Sequence, residues 1–188
     1  MSVFANPAGS AAGSQADAYI AGILAALGDR DPLDVLRSTP SRLAKIVSEI
    51  SPELLKTREL PGKWSITEVI QHLADSELVG GFRFRMVMTA DHPPLTAYDQ
   101  DMWAERLRYS QSNVREALDE FTMLRRSNVR LFERASPADW TRVGIHSERG
   151  EESLRHLLNL YAGHDVVHLR QIDRIRNAVG AEKIGAGV

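Results

Sequence analysis

Leu154, Leu157, Tyr161, Ile172 and Ile175 recur at steps of three and four, the spacing of a helix that buries one stripe. Within Tyr161-Ala-Gly-His164-Asp-Val-Val-His168-Leu-Arg-Gln-Ile172, two histidines occupy that same stripe. Positions i and i+4 of a helix lie one turn apart on one face, so both imidazoles can address a single metal ion. Two polar rings therefore stand where a helical bundle would place leucine. Burying them unpartnered costs roughly 1–3 kcal/mol each. Either a metal or a dedicated hydrogen-bond network must remove that cost. The spacing is necessary for a metal site and not sufficient.

The remainder of the chain also reads as helix. Tyr19, Ile20, Ile23, Leu24 and Leu27 form a stripe that Gly28 would end. Asp31-Pro32 and Thr39-Pro40 are helix-start signals, so residues 16 to 50 read as a helical arm broken near Gly28 and again near Pro40. After the Pro61-Gly62 turn, Ser65 and Glu68 fit a capping box, and Trp64 and Val69 fit a hydrophobic staple. The helix that follows should run to about Ala90, with Ile66, Val69, Ile70, Leu73 and Val79 inward. Asp91-His92-Pro93-Pro94 ends it. The connection from Leu95 to Tyr109 is long for a compact domain and carries Tyr98, Asp99 and Trp103, so it should cap or line something. Ser110 or Ser112 should cap the next helix, whose stripe is Val114, Leu118, Phe121, Leu124, Leu131 and Phe132. Thr141 to Gly150 reads as a loop or small hairpin, and Glu151 and Glu152 as the start of the last helix, which Gly180 stops. The expected fold is all-α, a four-helix bundle with a long connection between helices two and three. Residues 16–180 form its one domain, between tails at 1–15 and 181–188.

Composition narrows the partners. With 188 residues and a formal net charge of -2, the chain has no basic excess for nucleic-acid binding. It has no cysteine, which excludes disulfides, thiolate metal sites and a cysteine nucleophile. No apolar run approaches the ~20 residues of a membrane span, and the Ala-, Gly- and Ser-rich start lacks the basic region of a signal peptide. The cytoplasm is the default location, the expected partner is a small-molecule substrate, and a homodimer is compatible with the chain.

Six histidines are present. His92 sits in a proline turn and should be exposed; His146 falls in a loop and His156 off the stripe, so both read as surface residues. His72 lies on the flank of an inward stripe, where it can meet His164 and His168 across facing helices about 8–10 Å apart. Three protein nitrogens with an open position would make a catalytic arrangement rather than a closed structural one. Imidazole suits zinc and nickel alike. Neutral rings are required, so occupancy should fall below about pH 6.

Gly62-Lys-Trp64-Ser-Ile-Thr-Glu-Val-Ile-Gln-His72-Leu-Ala-Asp75-Ser-Glu77 resembles the second-helix signature of the DinB superfamily. Tyr161 to Ile172 resembles its fourth-helix signature, and Pro94-Leu-Thr-Ala-Tyr98-Asp99-Gln-Asp-Met-Trp103-Ala-Glu resembles the YfiT-like branch, often labelled metal-dependent hydrolases. The resemblance spans roughly residues 20 to 178. It implies a four-helix bundle holding a divalent metal, commonly zinc or nickel, on His72, His164 and His168. It also implies that some relatives transfer low-molecular-weight thiols such as bacillithiol or mycothiol, and it does not imply DNA binding.

Such a metal supports either hydrolysis, through a bound water acidified to a pKa of about 7, or transfer of a bound thiolate. Lacking cysteine, the chain would need any thiol as a cosubstrate. A structural metal or a non-catalytic ligand-binding module is the third alternative. Asp75 is the candidate for orienting an imidazole or acting as a base, whereas Glu77 and Asp165 read as surface acids. Tyr98, Asp99 and Trp103 are the candidates for the pocket, as a lid over the metal or as packing on the bundle end.

Overall fold

The computed structural model describes residues 12–180. Their helices are α1 (Ala12–Leu27), α2 (Pro32–Glu49), α3 (Pro52–Lys56), α4 (Ile66–Thr89), α5 (Gln100–Arg106), α6 (Val114–Glu133) and α7 (Leu154–Ala178). The short strands β1 (Pro94–Leu95), β2 (Val143–His146) and β3 (Gly150–Ser153) form a small sheet, β1 parallel to β2 and β2 antiparallel to β3. The expected tail at 1–15 yields at its end to α1, which begins at Ala12; residues 1–11 and the tail at 181–188 lie outside the described residues.

Long helices α2, α4, α6 and α7 form the four-helix bundle. They pack in a ring, α4 on α6, α6 on α2, α2 on α7 and α7 on α4, and α1 lies against α7. Core membership fixes their directions. One apolar layer holds the start of α4 (Ile66, Ile70, Leu73), the start of α6 (Ala117, Phe121) and the ends of α2 and α7 (Leu43, Ile172, Ile175). The other holds the opposite ends, with Leu36, Phe84, Phe132, Leu154 and Leu157. Helices α4 and α6 therefore run one way and α2 and α7 the other. Consecutive parallel helices need a crossover as long as the bundle, which explains the length of the segment between α4 and α6.

Local chemistry sets the boundaries. The capping box forms as expected: Glu68 N–H donates to Ser65 Oγ, and Ser65 N–H donates to Glu68 Oε2 at 2.8 Å. Arg58 binds the same carboxylate. Gly28 takes φ +57 at the end of α1, the left-handed conformation a glycine allows at least cost. Several expectations need correction. Asn113, not Ser110 or Ser112, caps α6, its side chain accepting from Arg115 N–H. Glu151 and Glu152 belong to β3, and Ser153 caps α7. Val79 is only half-buried. Pro40 does not break the arm: α2 runs through it unbroken. A proline inside a helix frees the carbonyl four residues earlier, here that of Leu36. That oxygen accepts from Arg125 Nη1 at 3.1 Å, so its lost partner is replaced from α6.

Candidate metal centre

Helices α4 and α7 bring His72, His164 and His168 to one point. Nε2 of His164 lies 3.1 Å from Nε2 of His72 and 3.0 Å from Nε2 of His168. One ligand atom from each of the three can be chosen so that all lie within 4.8 Å of one another. For comparison, nitrogens bound tetrahedrally at 2.0–2.1 Å from zinc stand about 3.3 Å apart. His72 and His168 are buried and His164 is half-buried, so the outer side of the centre is at His164.

The donors fit a cation. His168 Nδ1–H donates to Gln171 Oε1 at 2.7 Å, which leaves its Nε2 as a bare lone pair. A single proton on His164 Nε2 can serve one of its two nitrogen neighbours and not both. Burial lowers the basicity of all three rings, His72 and His164 well below the ordinary imidazole value and His168 to about 4, so they are neutral near pH 7. Trp64, itself buried, lies 5.0 Å from the His72 ring and holds it laterally.

A second polar layer lies behind the centre. Arg125, 2% exposed, donates from Nη1 to Asp165 Oδ2 at 2.5 Å and from Nη2 to Asp165 Oδ1 and Glu77 Oε1, both at 2.9 Å. Asn128 donates to the carbonyl and the carboxylate of Glu77. Glu77 and Asp165 are thus interior ion-pair partners, contrary to the surface role expected of them. One guanidinium faces two carboxylates, a net of one negative charge in this network. Asp165 also raises the basicity of His168, partly opposing burial.

The other candidates fall in different places. Asp75 accepts from the Tyr109 hydroxyl and, at 3.5 Å, from Gln71, and it orients no imidazole, since Nδ1 of His72 is buried without a partner. Burial raises its carboxyl above the usual range, with Tyr109 opposing. Asp99 caps α5, accepting from the backbone of Asp101 and Met102 at 3.0 and 2.9 Å. Tyr98 lies near the centre: its hydroxyl is 3.1 Å from Ser76 Oγ, one turn beyond His72, and its ring lies 4.4 Å from that of Trp103. His92 is exposed, as expected. His156 is half-buried rather than solvated. His146 is 2% exposed rather than on the surface, because β2 turns it inward.

Comparison with known proteins agrees with this architecture. The DinB superfamily profile matches residues 36–172. The chain belongs to the DinB superfamily. A protein of Bacillus mycoides named "Putative metal-dependent hydrolase" is 30% identical over 141 residues, 75% of this chain and 81% of the relative. One of the same name from Oceanobacillus iheyensis is 29% identical over 140 residues, 74% and 81% of the two chains. YfiT from Bacillus subtilis, described as a probable metal-dependent hydrolase with an unusual four-helix bundle topology, superimposes with a TM-score of 0.74 at 24% identity, covering 79% of this chain and 86% of that one. The mycothiol-dependent maleylpyruvate isomerase superimposes at 0.61 and 14% identity, over 75% of this chain and 59% of that one. The fold of this DinB chain is therefore YfiT-like.

Proposed function

We propose that the chain is a metal-dependent enzyme acting on a small molecule, with a divalent ion, zinc or nickel, held by His72, His164 and His168. The observation that carries this reading is the convergence of three neutral imidazole nitrogens, one of them fixed as a lone pair by Gln171. Asp165 acts on His168 as a negative charge, which favours a cation at that ring, while Arg125 acts in the opposite sense on His164. Bound at three nitrogens with a position open, such an ion acidifies a water or holds a thiol as thiolate.

The protein's own groups supply the rest. Trp64 and Gln171 hold two of the rings in orientation. Tyr161, one turn before His164 and 6.5 Å from its ring, keeps its proton because burial raises the phenol further above its usual range. Tyr98 is raised in the same direction by burial, so both phenols are neutral donors beside the centre. A neutral O–H can donate to oxygen that gains charge as a carbonyl is attacked. Trp103 backs Tyr98 and limits solvent on that side.

Hydrolysis is the first reading, supported by the names of the relatives. Transfer of a low-molecular-weight thiol is the second, supported by the shared fold of an isomerase named as mycothiol-dependent. A paired assay on metal-loaded protein separates them. One arm offers esters and amides without thiol, and the other offers an electrophile with bacillithiol, mycothiol or glutathione. Turnover without thiol supports the hydrolase, and turnover only with thiol supports the transferase. Silence in both arms, with a metal that chelators cannot extract from the native protein, overturns the enzyme reading in favour of a structural ion.

A further inference from the structure

Arg83 is a buried cation that lacks an anion. It is 6% exposed, its Nη2 donates to the carbonyl of Thr96, and no carboxylate among the described residues pairs with it. The other buried guanidinium of the bundle, Arg125, has two. Enclosing an unpaired charge is costly, and natural chains retain it where something else neutralises it.

Its position relative to the histidines follows from helix geometry. Arg83 comes eleven residues after His72, which at 100° per residue is three turns with about 20° left over, so both project from the same face of α4. The rise between them is about 16 Å, and a long helical side chain leans back toward the N-terminus, which shortens the reach from guanidinium to metal centre to on the order of 10 Å. The groups between are suited to a ligand. Ser76 holds the Tyr98 hydroxyl, and the Arg83 guanidinium carbon lies 6.0 Å from the centre of the Tyr98 ring. At Gly80 a Cβ would stand 2.4 Å from the Tyr161 ring, so this glycine lets that phenol lie flat on α4. Val79 is half-buried on the same face.

His146 adds a donor without a partner. Glu148 N–H donates to its Nδ1 at 3.2 Å, which places the ring proton on Nε2, and that buried Nε2 has no partner. Arg83 is close enough to depress the basicity of His146, after burial and Arg149, and is the strongest influence opposing the burial-driven rise of Tyr161. Glu152, which acts on His146 in the opposite sense, is already held by Arg149 through bonds of 2.6 and 3.0 Å.

We propose that Arg83, with the Nε2–H of His146, docks a carboxylate of the small molecule whose reacting end lies at the three-histidine centre. This rests on the metal-enzyme reading and names the class of its substrate: a compact organic acid whose anionic group stands several bonds from the reacting atom. Arg83 acts as a binding residue and takes no part in bond making.

Cobalt-loaded protein tests it with ω-mercaptocarboxylic acids of increasing length, each paired with the mercaptoalcohol of equal length. The cobalt–thiolate absorption reports ligation whatever Arg83 does. At the matching length the acid should bind about 10–100-fold more tightly than the alcohol, the worth of a charge-assisted hydrogen bond. Arg83→Met should erase that preference and leave the alcohol's affinity within about twofold, since the alcohol never used the charge. Equal affinity for acid and alcohol at every length in wild type, or a preference that survives Arg83→Met, overturns the proposal. Stability provides a second readout. If the charge is uncompensated, Arg83→Met melts no lower than wild type without ligand. A lower melting temperature with the acid preference unchanged assigns Arg83 to fastening Thr96 and overturns the docking role. If cobalt does not bind at all, the metal reading fails instead. Metal-free protein then decides the docking: glutarate should raise the melting temperature of wild type, but not of Arg83→Met, whereas glutaramide should raise neither. No rise in wild type overturns it.

Discussion

Gln171 and Arg125 show what single residues contribute to the candidate centre. Gln171 fixes the tautomer of His168 through Nδ1 and leaves Nε2, the nitrogen of the candidate metal centre, untouched. Gln171→Leu should therefore weaken divalent-metal affinity about 10–100-fold while leaving the helix content unchanged, as read by competition with a chromophoric chelator. His156→Ala should leave it unaltered. Arg125→Met would strand Glu77 and Asp165 as unpaired buried carboxylates, and should cost about 3–5 kcal/mol in urea unfolding. Replacing all three by apolar residues of similar size should recover most of that loss. These partners were readable from spacing that polarity conceals. Leu118, Phe121, Arg125, Asn128 and Phe132 form an unbroken three-four stripe on α6, all buried. Reading only the apolar positions selects Leu124 and Leu131, which are half-buried, and passes over Arg125. Glu77 and Asp165 likewise sit at stripe positions of α4 and α7. A polar residue at a core position of one helix is ambiguous, but three on facing helices, with complementary charges, are a prediction of one another.

Among the elements, α7 carries the most constraint, because it serves two neighbours with one run of small and polar residues. It presents His164 and His168 to α4, while Gly163 receives α1. A Cβ at Gly163 would stand 2.4 Å from the backbone oxygen of Ile23. Backbone yields less readily than a side-chain tip, so Gly163→Ala should force α1 away and cost roughly 1–3 kcal/mol. Differential scanning calorimetry would show this as a lower Tm, and an unchanged Tm would mean that α1 adapts freely. The long helices were legible from their period, and the caps of α2 and α4 from Asp31 and from Ser65 with Glu68, whereas those of α6 and α7 proved to be Asn113 and Ser153. Pro40 misled because its local penalty is met from another helix: the Leu36 carbonyl that it frees accepts from Arg125. The sheet was only partly legible. A hairpin could be read between Thr141 and Gly150, yet nothing local signals that Pro94 and Leu95 pair with Ile145 and His146. That long-range pairing buries His146, and residue spacing along the chain contains no trace of it.

The whole molecule is an apolar–polar–apolar stack, in which two hydrophobic layers enclose the histidines and the Glu77–Arg125–Asp165 network. Enclosure gives the protein a defined response to acid. Four imidazoles, the buried His72, His146 and His168 and the half-buried His164, are all less basic in the folded chain than the ordinary value of 6.5, His146 and His168 at about 4 and the other two well below 6.5. Burial is the largest cause in each. Between pH 6.5 and about 4 the unfolded chain therefore binds more protons than the folded one, and stability must fall as pH falls through that window. Above it the penalty vanishes, because both states are neutral at these rings. Urea midpoints of metal-free protein should decline steadily from pH 7 to 4.5, and a midpoint constant across that range would show that the rings are hydrated rather than enclosed. The same enclosure bears on acid release of the proposed metal. An exposed imidazole site exchanges its ion for protons below about pH 6. Here protons compete poorly at His168 until about pH 4, so occupancy should persist below pH 6, and release should coincide with unfolding. Equilibrium dialysis followed alongside circular dichroism decides this: metal lost near pH 6 from a chain that is still helical would show that the ion is held in a more exposed place than the three-histidine layer.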